Sequence, residues 1–334
     1  GERPGLSGLH IRHAPGAAGG VQMIVELLQT LILLATAPLA TGTVRSLKAR
    51  MQGRTGPSVL QPYRDLVKLF HKSSVMSKDS SWISTITPYV CVAAVVTAAL
   101  LLPVVYVGTF GLMGDLLLLI YLLAIMKFFT ALAALDAGST FGGMGSSREM
   151  FISSIVEPAM LLSIFAMALV AGTTALGGIS LQVASSTGLE LVGPSLLLAA
   201  AAFFIAILAE NARMPVDNPA THLELTMVHE AMMLEYSGKG LALMEYASMA
   251  KLLVFLTLMA NMFFPWGIAT SADPAALAVG LVAYLVKIGA LLLAIAVIES
   301  SMAKMRLFRL PNLFTMAFIL SLLAVVAYYV QGVA

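Results

Sequence analysis

The chain has 334 residues, of which 59% are hydrophobic and only 11% charged, and its formal net charge is +2. A soluble globule of this length carries about twice that share of charge, and so small a net charge excludes electrostatic binding of nucleic acid. The composition is instead that of an all-α, multi-pass membrane protein, because its apolar residues gather in runs of about 20, the length that crosses a bilayer core.

Residues 1–20 are rich in Gly, Ala and Pro and contain no apolar run. They lack the basic start and apolar core of a signal peptide and read as a flexible tail. From 21 to 334 the pattern predicts one domain of eight transmembrane helices, at 21–44, 86–108, 112–136, 150–172, 194–212, 240–264, 275–298 and 311–331. An even number of spans puts both termini on one side. Segments 45–85, 137–149, 213–239 and 299–310 share the other side. They hold Arg45, Lys48, Arg50, Arg54, Arg64, Lys68, Lys72, Lys78, Arg148, Arg213, Lys239, Lys304, Arg306 and Arg309, against only Arg3 and Arg12 opposite. Such a bias makes the four basic segments cytoplasmic and both termini non-cytoplasmic. A multi-pass protein of the cell (inner) membrane is expected.

In chain order, Glu26 lies near the start of the first span and is expected to reach the outer interface. After it, Leu60–Lys72 places Leu60, Tyr63, Leu66, Val67 and Phe70 at helical spacing, with Arg64, Lys68 and Lys72 in an i, i+4, i+8 row. Two readings stand for this amphipathic helix: one lying in the interface with its basic face to headgroups, and one packed on the spans with its charges in water. Cys91 is a lone thiol inside an apolar stretch, a packing residue. One cysteine can neither form an internal disulfide nor hold an iron–sulfur cluster, so no cofactor is expected in this chain and any redox centre belongs to a partner.

The third span carries Asp115, Lys127 and Asp136. Lys127 and Asp136 are nine residues apart and do not share a helix face, so Lys127 needs an acid from another span. Gly142-Gly143-Met144-Gly145 reads as a turn between spans. Glu157 precedes Pro158 in the fourth span, where proline frees the carbonyl of Ser154 and opens a helix turn beside the acid. Glu210, at the cytoplasmic end of the fifth span, reads either as a surface ion pair with Arg213 or as the start of a string of acids with Asp217 and Glu224. Segment 213–239, interrupted by Pro215 and Pro219, is expected to form a cytoplasmic lid with one helix from His222 to Tyr236, ended by Ser237-Gly238. His229-Glu230 begins a metalloprotease-like pattern, but Met233 stands where the second histidine is required. No metal site is expected there, although His222, His229 and Glu224 are all metal-ligating types. Glu245 and Lys251 follow in the sixth span, then Lys287 and Glu299. Ionisable groups held within spans line polar cavities or proton routes, and Glu157, Lys127 and Lys251 are the three that snorkelling does not explain.

Three stretches resemble one family: Arg54-Thr-Gly-Pro-Ser-Val-Leu-Gln-Pro-Tyr-Arg-Asp-Leu-Val-Lys-Leu-Phe70, Val156-Glu-Pro158, and Arg213-Met-Pro-Val-Asp217 continuing to Glu235-Tyr-Ser-Gly238. They look like the membrane subunit shared by complex I (NADH dehydrogenase subunit 1) and energy-converting nickel–iron hydrogenases. Only two residues separate Gly56-Pro57 from Leu60-Gln61-Pro62, Ala220 and His222 stand where complex I has acids, and three additional residues precede Glu235. These features are nearer to the hydrogenase-4 component C and formate hydrogenlyase subunit 4 branch than to the quinone-linked one.

The resemblance implies a non-redox subunit of a multi-subunit oxidoreductase. It would anchor a cytoplasmic module whose NiFe centre and iron–sulfur clusters sit in large, small and iron–sulfur subunits, beside antiporter-like membrane subunits. It implies a proton-relay set of Glu157, Glu210, Asp217, Glu224 and Glu235, with Lys127, Lys251 and Asp136 contributing. Arg50, Arg54, Arg64, Lys68 and Arg213 would dock the partner, and the coupled ion would be a proton or sodium. The rival readings are a quinone-site subunit of complex I, a stand-alone secondary transporter and a purely structural anchor.

Overall fold

The computed structural model describes residues 17–77, 80–108, 110, 114–185, 193–217, 227–264, 266–271 and 273–333. Lys78, His222 and Glu224 lie outside the described residues. Its helices are α1 (Ala17–Met51), α2 (Gln61–Phe70), α3 (Trp82–Leu101), α4 (Leu116–Asp136), α5 (Thr140–Ala171), α6 (Leu176–Ser185), α7 (Pro194–Glu210), α8 (His229–Met233), α9 (Gly238–Met262), α10 (Pro274–Ser301) and α11 (Leu310–Val333), with a 3-10 turn at Leu307–Arg309. Among the described residues seven helices are long and apolar enough to cross a membrane: α1, α3, α4, α5, α9, α10 and α11, the last with its 3-10 lead-in. The apolar α7 has 17 residues, about 25 Å of helix.

The bundle is organised around α9, whose side chains from Met249 to Met262 are all buried. It packs against α1, α2, α3, α7 and α10, while α5, α7 and α11 form a second contiguous group. The connection between α3 and α4 shows how polar groups fix such packing in an apolar setting. Asp136, at the end of α4, accepts from the backbone N–H of Ser81 at 2.8 Å, the N–H of Ser84 at 3.3 Å and the Ser84 hydroxyl at 2.6 Å. It thereby satisfies orphan donors in the first turn of α3 and locks the two helices antiparallel.

Several boundaries differ from the sequence reading. α1 continues to Met51 instead of ending at 44, with Lys48 and Arg50 in its last turn, where cations favour the helix C-terminus. The stretch Gly142–Gly145 is not a turn: Ser139 caps a helix that starts at Thr140, its Oγ accepting from Gly142 N–H at 3.1 Å. The glycines serve packing instead. A Cβ on Gly145 would lie 2.8 Å from Ala231 Cβ and 2.9 Å from the Val228 carbonyl oxygen, so the bare backbone lets α8 sit directly on α5. Segment 173–193 contains the unpredicted α6. The helix expected over 222–236 is, among the described residues, the single turn α8. It ends before Ser237-Gly238, and that pair instead opens α9. Glu26 is buried rather than interfacial, accepting from Phe110 N–H at 2.8 Å.

The glycine contacts separate two neighbouring substitutions. Gly145→Ala is expected to lower the melting temperature of the solubilised protein, because overpacking costs about 1–3 kcal/mol. Gly143→Ala, whose Cβ would meet no described atom within 4 Å, should raise it slightly, by about 0.4–1 kcal/mol in stability. Equal melting temperatures for the two variants would contradict the packing of α8 on α5.

Candidate functional site

The buried charges converge where α4, α5, α7 and α9 meet. Glu210 is the last residue of α7, and its two carboxylate oxygens divide between two lysines from different helices. Oε1 accepts from Lys127 Nζ of α4 at 2.5 Å, and Oε2 accepts from Lys251 Nζ of α9 at 3.2 Å. Lys251 also donates to the Glu210 backbone carbonyl at 2.9 Å, and Lys127 to the Ser153 hydroxyl of α5 at 2.8 Å. Relative exposures are 7% for Lys127, 7% for Glu210 and 6% for Lys251. One carboxylate shared by two ammonium groups leaves an excess positive charge. Glu149 of α5, 4% exposed, lies within electrostatic reach of both lysines.

The local fold explains why Glu210 points inward. α7 closes with the Arg213 N–H on the Leu208 carbonyl at 2.8 Å and the Ala212 N–H on the Ala209 carbonyl at 3.1 Å. This is the paired bond pattern of a Schellman ending, which puts one residue in the left-handed region. That residue is Ala212 at φ 47°, where glycine is usual and a Cβ costs about 1–2 kcal/mol. The turn sends Arg213 back into the protein, where Nη1 meets Glu299 Oε1 at 3.2 Å, and Glu299 Oε2 also meets Lys48 Nζ at 3.2 Å. Asp217 follows, buried, accepting from the N–H groups of Val228 and His229 at 3.3 Å each and paired with Lys304 at 2.5 Å. These contacts tie α1, α10 and strip 213–217 to α8.

Two cavities lie near the end of α7. One of about 80 Å³ is walled by Thr41 and Arg45 of α1, Asn211–Arg213, Asp217, His229 and Glu230, and Glu245 and Ser248 of α9. Two of its lining residues carry buried atoms, Thr41 Oγ1 and Asn211 Oδ1, that have no hydrogen-bond partner among the described residues. A space of this size and polarity accommodates several waters, which would satisfy both. The other, about 30 Å³, lies between α4 and α5 and is lined by Tyr121, Glu157, Met160, Glu210 and Phe255 among others. Glu210 lines the smaller cavity together with Glu157, while Asn211, next in the chain, is on the wall of the larger one.

Of the residues singled out from sequence, the structure brings Lys127, Glu210 and Lys251 into contact, with Glu157 beside them across the smaller cavity and Asp217 on the wall of the larger. Lys127 does obtain its acid from another helix, α7. Arg213 is not Glu210's partner, and it is buried on Glu299 rather than presented for docking. Arg50, Arg54, Arg64 and Lys68 are exposed. Asp136 caps α3, away from this cluster. Glu235 is exposed and lines a separate small pocket with Met76 and Ser84. Glu149 was missed, although Glu149, Ser153 and Glu157 form an i, i+4, i+8 stripe once α5 is allowed to begin at Thr140.

His229, at the start of α8, has its Nε2 3.4 Å from Ser248 Oγ. Burial, then the nearby Lys251 charge, push its pKa down to about 4, against the pull of Asp217. The ring is neutral at pH 7 in the folded protein. An unfolded histidine takes up a proton near pH 6.5, so the stabilisation is complete above that value and disappears as pH falls towards 4. Melting curves between pH 4 and 7 should show this loss, and His229→Gln should flatten it. An unchanged pH profile in the variant would remove His229 from the buried set.

Comparison with known proteins follows the same geometry. Residues 23–329 match the family model described as NADH dehydrogenase. Formate hydrogenlyase subunit 4 of Escherichia coli is 38% identical over 308 residues, 92% of this chain and 99% of that protein. Hydrogenase-4 component C of the same organism is 36% identical over 306 residues, 91% and 95% of the two chains. An NADH-quinone oxidoreductase subunit of Rubrobacter xylanophilus is 29% identical over 244 residues, 70% of this chain and 71% of that protein. A chain of the membrane-bound sulfane sulfur reductase, an archaeal respiratory membrane complex, superposes with a TM-score of 0.79 at 23% identity, covering 92% of this chain and 99% of that one, which establishes the shared fold. With nearly its whole length matched, the chain belongs to the NADH dehydrogenase family of membrane subunits, the family of complex I subunit 1.

Proposed function

We propose that the chain is the non-redox membrane subunit of an energy-converting hydrogenase or formate-hydrogenlyase-type complex, anchoring a cytoplasmic NiFe module and coupling its reaction to movement of protons or sodium. The observation that carries the reading is Glu210, held between Lys127 and Lys251 and lining a small cavity that also reaches Glu157. A charge change in a partner facing the basic segments acts on Asp217 and His229 first. From there it reaches the Lys127–Glu210–Lys251 bridge and, across the smaller cavity that Glu210 lines, Glu157. Glu149 joins this set.

In this reading α7 is the eighth span of a single membrane domain over 21–334, and both termini are non-cytoplasmic in the inner membrane. Helix α2 and strip 213–239 form an interfacial helix and lid. The NiFe centre and iron–sulfur clusters reside in hydrogenase-like large and small subunits and an iron–sulfur subunit, with antiporter-like subunits alongside. The quinone-linked complex I reading rests on relatives that match less of the chain at lower identity.

Glu157→Gln, in the assembled complex, is expected to leave redox turnover within about twofold of wild type while ion uptake per turnover falls at least about tenfold, as for loss of one essential proton-transfer group. Full coupling with normal turnover would exclude Glu157 from the route. Turnover abolished by quinone-site inhibitors would instead favour the complex I reading.

The docking surface is tested by charge reversal. Arg54→Glu combined with Arg64→Glu should release the peripheral subunits during purification while leaving the membrane subunit intact. Arg213→Glu should instead destabilise the membrane subunit, since breaking a buried pair costs about 3–5 kcal/mol. Undiminished co-purification in the first variant would refute the assignment of docking to those arginines.

A further inference from the structure

We infer that Lys287 and Trp266 form a phospholipid headgroup site at the end of the bundle opposite the basic segments. Lys287 sits well inside α10, and its Nζ donates to Asn261 Oδ1 at 2.9 Å and to the Phe264 carbonyl at 3.1 Å. Both acceptors lie at or just beyond the C-terminal end of α9. Asn261 is itself fixed, donating to the carbonyls of Pro103 at 2.7 Å and Val104 at 2.8 Å. The amine is thus drawn back towards the N-terminus of α10, the direction in which helical side chains lean and in which a snorkelling lysine leaves the hydrocarbon.

The count of donors leaves one N–H to be accounted for. An ammonium group has three N–H donors and a full positive charge. Here two donors meet neutral oxygens, and among the described residues the ion pairs within 4 Å do not include Lys287. The other two lysines held inside spans, Lys127 and Lys251, each have a carboxylate. Lys287 is half-buried, and the strip of α10 beside it is apolar and open: Val286 is 66% exposed, Leu293 45% and Val297 45%. Trp266 is 61% exposed, with its ring 5.8 Å from that of Phe264, whose carbonyl Lys287 holds. An exposed indole at the end of a span marks the depth of headgroups and ester groups.

These features match a phospholipid. Its phosphate oxygen accepts a charge-assisted bond from the third Lys287 donor, the Trp266 N–H offers a second donor, and an acyl chain lies along Val286, Leu293 and Val297. A carboxylate from another membrane helix would neutralise the amine equally well. The exposed indole beside it favours a lipid, because a helix seated there would have to bury or displace that ring.

Native mass spectrometry of the intact complex in mild detergent tests the assignment. Wild type is expected to retain a bound phospholipid that Lys287→Met loses, with occupancy falling about tenfold, as for loss of one charge-assisted bond. Lys287→Arg should keep the lipid, and Trp266→Leu, which leaves the Asn261 contact in place, should weaken it. Excess inorganic phosphate should not displace it. Unchanged lipid retention in both Lys287→Met and Trp266→Leu would overturn the proposal. So would displacement by phosphate, which would mark a free-anion site, or carbodiimide cross-linking of Lys287 to a neighbouring subunit. If Lys287→Met fails to assemble, the Arg and Trp266 variants decide the matter.

Discussion

Two lysine ammonium groups share one carboxylate in the interior of this bundle, and most of the architecture around them is what that arrangement requires. An ion taken from water into a protein interior loses solvation worth several kcal/mol even after relaxation. Lys127, Glu210 and Lys251 come from three helices, so none can be satisfied unless α4, α7 and α9 are assembled in one register. The bridge is therefore better understood as a register device than as a source of net stability. Apolar residues of the same volume would pack as well or better. What they could not do is hold a carboxylate on the wall of an interior cavity.

Burial grades the other ion pairs by role. Lys48 and Lys304 have side-chain exposures of 19% and 24%, so part of their attraction to Glu299 and Asp217 is screened by solvent. Those pairs act as clamps on strip 213–217, which follows directly on the left-handed alanine after Glu210 and Asn211. Backbone strain of this kind persists only where surrounding contacts over-determine it. Here the contacts are Arg213 on Glu299, Asp217 on the N-terminal amides of α8, and the Met305 N–H on the Pro215 carbonyl at 2.9 Å.

Much of this was legible in the sequence because membrane helices announce themselves by apolar length and because a charge within such a length demands an explanation. Lys127 needed an acid from elsewhere, and it has one. Glu157 and Lys251 stood out on the same reasoning, whereas Glu210 did so only as the head of a string of acids at the end of its helix. The identity of partners was not legible, since pairing across helices depends on register, which an almost uniformly apolar pattern does not encode. Arg213 looked like Glu210's neighbour because it is close in sequence, yet the left-handed turn at Ala212 points it the other way. Glycine produced the largest error. In water Gly142–Gly145 would favour a turn, but in a crowded bundle those residues permit close helix contact, and taking them as a turn hid the Glu149–Ser153–Glu157 stripe. Asp136 illustrates the opposite mistake, an ionisable residue near a span whose task is capping a neighbouring helix.

The burial of the inner cluster bears on how it could respond to events outside the membrane. With Lys127 and Lys251 set against Glu210 and Glu149, moving one proton changes the local charge by a full unit where little water is present to absorb it. At an effective dielectric constant of about 20, a new unit charge roughly 10 Å away changes the energy of such a site by about 1.7 kcal/mol, just over one pKa unit. That is enough to shift occupancy about tenfold at a group poised near neutrality and too little to matter for one held far from it. A solvated cluster would feel far less of the same perturbation. A responsive site therefore needs groups desolvated enough to sense a distant charge and held closely enough to remain folded; the Lys–Glu–Lys bridge supplies the second, and Glu149, buried beside it, has the first.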